Sequence, residues 1–215
     1  MIKILSGWAR NKFFNVKVQH PKNISDIKKN IKKKVIARGL GKSYGDSSIQ
    51  KNHTIETTNL NKIIKFDKKK GIFSAEAGIT IKEIIEETIK HGWFLPVTPG
   101  SKFITLGGMV AADVHGKNHH RVGSFRHHIK ELSIIDEHKK IIKCNKLKNR
   151  DLFNYTIGGM GLTGIIYSCK FKLIKISSNL INQETIKNKN LKETFLNIKK
   201  SNKFEYNVAW LDSSV

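Results

Sequence analysis

Short stretches of alternating apolar and polar residues dominate this chain, and helical spacing interrupts them only briefly. Residues 13–20 alternate as a strand that Pro21 ends, and residues 25–34 follow as a short, lysine-rich helix. Val35-Ile36-Ala37 is a compact apolar strand running straight into a glycine-rich loop. Further strands are predicted over 53–58, 63–66, 72–78, 129–136, 141–144 and, longest of all, 165–176. The clearest helix spans 81–90, where Ile81, Ile84, Ile85, Thr88 and Ile89 share one face while Lys82, Glu83, Glu86 and Glu87 face water. Thr80 stands at its N-cap and His91-Gly92 ends it, so the apolar face belongs to a core. Residues 93–96 are read as extended, and 151–155 as a single helical turn. Beyond 176 the texture loses its paired glycines and reads as strand, helix (191–200) and strand (205–211). The expected organisation is α+β, with one domain over 1–176 and a second unit over 177–215. That second unit has too few elements to bury a sheet face, and is expected to be the start of a larger domain or the end of a truncated product.

Three glycine-rich stretches break the alternation. The first is Arg38-Gly39-Leu40-Gly41-Lys42-Ser43-Tyr44-Gly45-Asp46-Ser47-Ser48, a loop of the kind that turns backbone N–H groups toward phosphate oxygens. It is not a Walker A loop, because Ile36 stands where the leading glycine is needed. Nor is it a Rossmann fingerprint, because Tyr44 occupies the third glycine position and no helical pattern follows. The second stretch, residues 99–120, strings Pro99-Gly100, Gly107-Gly108 and a small-residue run into His115-Gly116-Lys117-Asn118, with no helical period. Small residues let a backbone press close against a bound molecule, so this segment is read as a helix-free cofactor wall. The third is Gly158-Gly159-Met160-Gly161-Leu162-Thr163-Gly164. Loops so far apart in sequence imply one extended ligand wrapped by different elements, and a dinucleotide has the right size.

Composition changes this picture little. Forty Lys+Arg against 17 Asp+Glu give a net charge of +23, the balance of a nucleic-acid binder or of a protein that visits anionic membranes. The lysines are spread among Ile and Asn, however, as biased genome composition also produces, and no nucleic-acid recognition motif appears. Cys144 and Cys169 form no close pair, which argues against a disulfide framework or a cysteine zinc site and favours a reducing compartment. The N-terminal apolar run is too short for a signal peptide, and no stretch is long enough to span a bilayer, so a cytoplasmic protein is expected. His115 and His119 are four apart, but Gly116 between them argues against a helical metal pair, and no metal is expected. His119, His120, His127 and His128 read as partly exposed polar residues.

Arg38 to Asp46, then Pro99-Gly100 with Thr105-Leu106-Gly107-Gly108 and Asp113-Val114-His115-Gly116-Lys117-Asn118, then Gly161-Leu162-Thr163-Gly164-Ile165, together resemble the PCMH-type FAD-binding domain of the vanillyl-alcohol-oxidase superfamily. Within it they look most like the decaprenylphosphoryl-ribose 2-oxidase family, with sugar-lactone oxidases as neighbours. The resemblance covers about residues 6–176 and implies a two-subdomain FAD-binding domain, with residues 205–212 resembling the start of an α+β substrate (cap) domain.

The resemblance implies that Ala37, Arg38, Gly39, Leu40, Gly41, Lys42, Ser43, Tyr44, Gly45, Asp46 and Ser47 form the pyrophosphate loop. Gly100, Thr105, Leu106, Gly107 and Gly108 would line the cofactor, with Ala112, Asp113, Val114, His115 and Gly116 along the flavin ring. Gly164 and Ile165 would close on the adenine half. Tyr44, His115 and Lys117 are the catalytic candidates. Many members of the superfamily carry a histidine directly after the first Gly-x-Gly and bond it to the flavin; Lys42 stands there in this chain, so FAD is expected to be held non-covalently. The implied activity is FAD-dependent oxidation of a sugar-ring alcohol, on a polyprenyl-phosphate-linked pentose at C2, or else on an aldonolactone. The implied partners are the sugar or lipid-linked sugar, a short-chain reductase, and the inner face of an anionic membrane, with no nucleic acid. Readings of other classes are a basic nucleic-acid-binding module and an inactive remnant.

Overall fold

The computed structural model describes residues 1–31 and 34–212. Two sheets organise it. The smaller has four strands, in the order β1 (Ile2–Leu5), β2 (Phe14–Gln19), β4 (Thr54–Glu56), β3 (Ile36–Arg38). Strands β1 and β2 are antiparallel, while β2 and β3 each run parallel to β4. Between β2 and β3 lies α1 (Ile24–Asn30), opened by Asn23, whose side chain accepts from the Asp26 N–H. The helix is shorter than its lysine-rich pattern suggests, since Ile31 already has extended backbone; Lys32 and Lys33 lie outside the described residues.

The larger sheet is antiparallel throughout, with β5 (Ile63–Asp67), β6 (Ile72–Glu76), β10 (Ile165–Lys172), β8 (Ile129–Ile135) and β9 (Ile141–Cys144) side by side in that order. Its covered face packs against α2 (Ile81–Thr88), α3 (Leu106–Ala111) and α5 (Arg150–Thr156). Phe73 and Phe125 meet Phe171 with ring centroids 5.6 and 5.3 Å apart, at tilted and edge-on angles suited to aromatic pairs. Helix α2 starts at a full capping box: the Thr80 hydroxyl accepts from the Glu83 N–H while the Glu83 carboxylate accepts from the Thr80 N–H at 2.7 Å. The predicted strand over 165–176 breaks at Leu173, and β11 (Ile174–Lys175) leaves the sheet to pair with β7 (Trp93–Phe94).

A second, smaller core joins the two sheets. Ile55 of the first sheet and Ile27 of α1 meet Ile135 and Ile165 of the second sheet, together with Leu60. At the same seam the buried Glu76 carboxylate accepts from the Tyr167 hydroxyl at 2.8 Å and from the Lys62 N–H at 2.9 Å. Burial and that carboxylate push the Tyr167 phenol up to about 12.

Two expectations need correction. Residues 99–120 are not helix-free: α3 forms inside them because Thr105 caps it and Leu106, Met109 and Val110 bury one face at helical spacing. A further short helix, α4 (His119–Val122), follows. The strands expected around 179–190 and 205–211 do not form among the described residues; only α6 (Leu191–Ser201) does. Among the described residues neither stretch pairs with a strand, and an alternating segment without a partner has no ladder to stabilise it. Residues 213–215 lie outside the described residues.

Candidate cofactor site

Strand β3 ends at Arg38, whose carbonyl accepts from the Thr57 N–H at 2.9 Å, and the chain then leaves the sheet as the first glycine-rich loop. Past that point the main-chain N–H groups of Gly39, Leu40, Gly41, Lys42 and Ser43 have no acceptor within the protein among the described residues. Five successive unspent donors on one loop are the requirement for cradling an anion. The loop is held from beneath by the Arg38 side chain, which is only 8% exposed. Its guanidinium donates to the Ser48 hydroxyl at 3.1 Å and to the Ser6 carbonyl at 2.9 Å. From the side, the Ser43 carbonyl accepts from the Trp8 N–H at 2.7 Å, and the Lys42 ammonium stands 4.1 Å from the Trp8 ring centroid. Gly41 has φ +65°, and a Cβ there would come within 2.0 Å of Arg38 Nη2, so both the turn and the tucked arginine demand glycine.

The second glycine-rich stretch does something else. Every donor of the first turn of α3 is already used: Leu106 N–H on the Ile79 carbonyl, Gly107 N–H on the Ala77 carbonyl, Gly108 N–H on the Thr105 hydroxyl and Met109 N–H on the Thr105 carbonyl. Gly107 is needed for closeness, because a Cβ would lie 3.0 Å from the Ala77 Cβ and 3.1 Å from its carbonyl oxygen. Helix α3 therefore forms a flat, apolar wall of small residues. The third stretch is tied to the end of that helix, with Gly158 and Met160 N–H groups donating to the Val110 and Ala111 carbonyls at 3.0 and 2.9 Å.

The three stretches meet at one cleft. Gly41, Gly107 and Gly164 all line it, and its empty space, open mouth included, is about 870 Å³. The cavity volume proper is about 150 Å³, below the roughly 300–1,000 Å³ of an enclosed ligand pocket. Of the expected loop, Ala37 to Ser43 and Ser47 line the cleft, as do Thr105, Gly108, Ala112 and Val114 from the wall. Tyr44, Gly45, Asp46, Gly100, Asp113, His115, Gly116, Lys117 and Ile165 do not, and Leu106 is wholly buried in the core. Tyr44, His115 and Lys117 are exposed and each lies one to three residues from a lining residue. The Asp113 carboxylate is engaged elsewhere, by Arg126 Nε at 3.0 Å and the Arg126 N–H at 2.9 Å.

Sequence reasoning missed Ser48, Thr57, Ile104, Ala111, Met160, Gly161 and Ile166 as lining residues. Ser48 and Gly161 carried a signal, since they sit inside two of the glycine-rich stretches; Thr57 did not, since only the parallel pairing of β3 with β4 brings it alongside the loop. His115 and His119 have ring centroids 5.4 Å apart, and among the described residues no group of three or more His, Cys, Asp or Glu side chains is arranged to hold a metal ion.

These residues fit a flavin dinucleotide. Unspent amides above a buried arginine suit a diphosphate, and the apolar wall from Gly107 to Val114 suits a planar ring. A model of the family described as "FAD binding domain" matches residues 16–145. The chain is similar to decaprenylphosphoryl-beta-D-ribose oxidase of Mycolicibacterium smegmatis, 32% identical over 83% of this chain and 40% of that protein. It is also similar to D-lactate dehydrogenase of Anaerostipes hadrus, 27% identical over 59% of this chain and 28% of that protein. A putative D-arabinono-1,4-lactone oxidase of Neurospora crassa is 26% identical over 72% of this chain and 29% of that protein. The chain thus spans well under half the length of these curated relatives. A family match over more than half of its residues, joined to a cleft built for an anionic, planar ligand, means that the chain belongs to the PCMH-type FAD-binding domain family.

Proposed function

We propose that residues 1–176 hold FAD, non-covalently, for an oxidoreductase that oxidises a sugar-ring alcohol, and that residues 177–215 begin the part that meets the substrate. The observation that carries this reading is the convergence of three separated glycine-rich stretches on one cleft, with unspent amides on the first. When bound, the flavin supplies the two-electron acceptor that no side chain provides. The chain's own part is to hold it. The amides of Gly39 to Ser43 would bind the diphosphate, and the small-residue wall of α3 would pack against the flavin and exclude water there. Tyr44, His115 and Lys117, exposed near the rim, are the residues of this chain proposed to orient the sugar hydroxyl and receive its proton. Lys42 follows Gly41, and an ammonium has no role in an attachment of the histidine kind, which supports a releasable cofactor.

The similarity to decaprenylphosphoryl-beta-D-ribose oxidase supports a lipid-phosphate-linked pentose as substrate. Such a substrate favours a cytoplasmic enzyme working at an anionic membrane face, where the net charge of +23 would help hold it, with a reductase nearby to consume the keto product. No helix among the described residues is long and apolar enough to cross a membrane. A second reading, lactone oxidation, rests on the Neurospora relative. The protein is expected to purify yellow or to bind added FAD, and to release the flavin intact on denaturation. Anaerobic bleaching by a lipid-linked pentose, and not by an aldonolactone, supports the first substrate, while the reverse supports the second. A colourless protein that ignores FAD would remove the whole reading.

A further inference from the structure

Arg38 is the most deeply buried cation at the cleft, and the charge around it does not balance. It is 8% exposed, and among the described residues no carboxylate forms an ion pair with it. The nearest acidic influence is Glu56, whose Oε1 is already shared between His20 Nδ1 and the Thr58 hydroxyl, each at 3.3 Å. Desolvation accordingly weakens the hold of the guanidinium on its proton, and Glu56 only partly offsets this. A guanidinium carries five N–H donors. Two bonds are formed here, to the Ser48 hydroxyl and the Ser6 carbonyl, both neutral acceptors. A buried, unpaired charge is costly to a fold unless something neutralises it. Nη2 lies against Gly41, the middle of the five-amide loop, where an added Cβ would come within 2.0 Å of it.

We infer that the Arg38 side chain is a specificity-determining residue, a fixed buried cation whose counter-charge is the diphosphate of the bound dinucleotide and which selects that ligand over an uncharged flavin. The inference rests on the flavin reading above and deepens it. Arg38 acts in two ways at once. Its bonds to the Ser48 hydroxyl and the Ser6 carbonyl tie the start of the loop to its far end and to the segment after β1. Its charge lies under those amides, at low dielectric, where it strengthens their attraction for an anion.

The test measures binding of FAD, riboflavin and inorganic pyrophosphate to the 215-residue chain and to Arg38→Gln and Arg38→Lys. Arg38→Gln is expected to weaken FAD roughly 10–100-fold, the usual worth of a hydrogen-bonded charge, and to leave riboflavin within about 2-fold. Arg38→Lys should recover part of the FAD loss and keep the salt dependence that Arg38→Gln flattens. Equal losses for FAD and riboflavin would mean a merely structural role and overturn the inference, as would an unchanged FAD affinity. Should Arg38→Gln fail to fold, pyrophosphate decides on the unmodified chain: it is expected to raise the melting temperature and to compete with FAD. A chain that binds FAD but gains nothing from pyrophosphate overturns this inference alone, whereas one that ignores both ligands overturns the flavin reading with it.

Discussion

The loop after β3 and the start of α3 are both rich in glycine and line the same cleft, yet they use glycine for opposite ends. In the loop, the amides of Gly39 to Ser43 are unspent and Gly41 takes a backbone conformation that side chains rarely adopt. At α3, the amides of Leu106, Gly107 and Gly108 are all spent inside the protein, and Gly107 only lets the helix lie against Ala77. The first region is a run of unspent donors with a buried arginine packed against it; the second is packed wall. A glycine-rich motif therefore says nothing about anion binding until its N–H groups are followed to their acceptors.

The sharpest way to break this contrast is Gly41→Val. A branched side chain at φ +65° must displace the Arg38 guanidinium, and strain plus overpacking should cost about 3 kcal/mol in stability. FAD affinity should fall by roughly 100-fold, read by titration against flavin fluorescence. Next in size is Thr105→Val, which keeps the volume and removes the acceptor for the Gly108 N–H. It should lower stability by about 1 kcal/mol in a denaturant melt, like other lost N-caps, while FAD affinity changes by less than about 3-fold. A Thr105→Val protein that keeps its stability but loses FAD would show that the wall binds rather than packs. The smallest effect is expected for Lys42→Ala, which removes an exposed cation–π contact with Trp8 worth about 0.5 kcal/mol, visible as a change in tryptophan emission with little loss of FAD.

Much of the fold was legible because the strands are half-buried and rich in Ile, Val and Phe. The alternation of β2 and β6 is the alternation of core and solvent, whereas β8, between β10 and β9, is buried without a break from Leu132 to Ile135. Helix α2 was equally plain, with its Thr80–Glu83 box in sequence. Helix α3 was not, since Gly107 and Gly108 have the poorest helix propensity short of proline and masked the spacing of Leu106, Met109 and Val110. Strand β1 was missed for the opposite reason: Ile2 and Ile4 are exposed, so its apolar residues mark an edge and not a core. At the site, the glycines named the loops but not the direction of their amides. Nor could local sequence disclose that Ser6, 32 residues before Arg38, receives its side chain. That contact depends on how β1, β2 and β4 are ordered in the sheet, and strand order is a property of the whole chain.

Amide hydrogen exchange with and without FAD tests the central contrast most directly, since it reads each region's donors separately. The amides from Gly39 to Ser43 should exchange freely in the unliganded chain and become protected when FAD is added, while Leu106 to Gly108 are protected throughout. FAD binding that leaves Gly39 to Ser43 exchanging as before, or that newly protects Leu106 to Gly108 instead, would contradict the account.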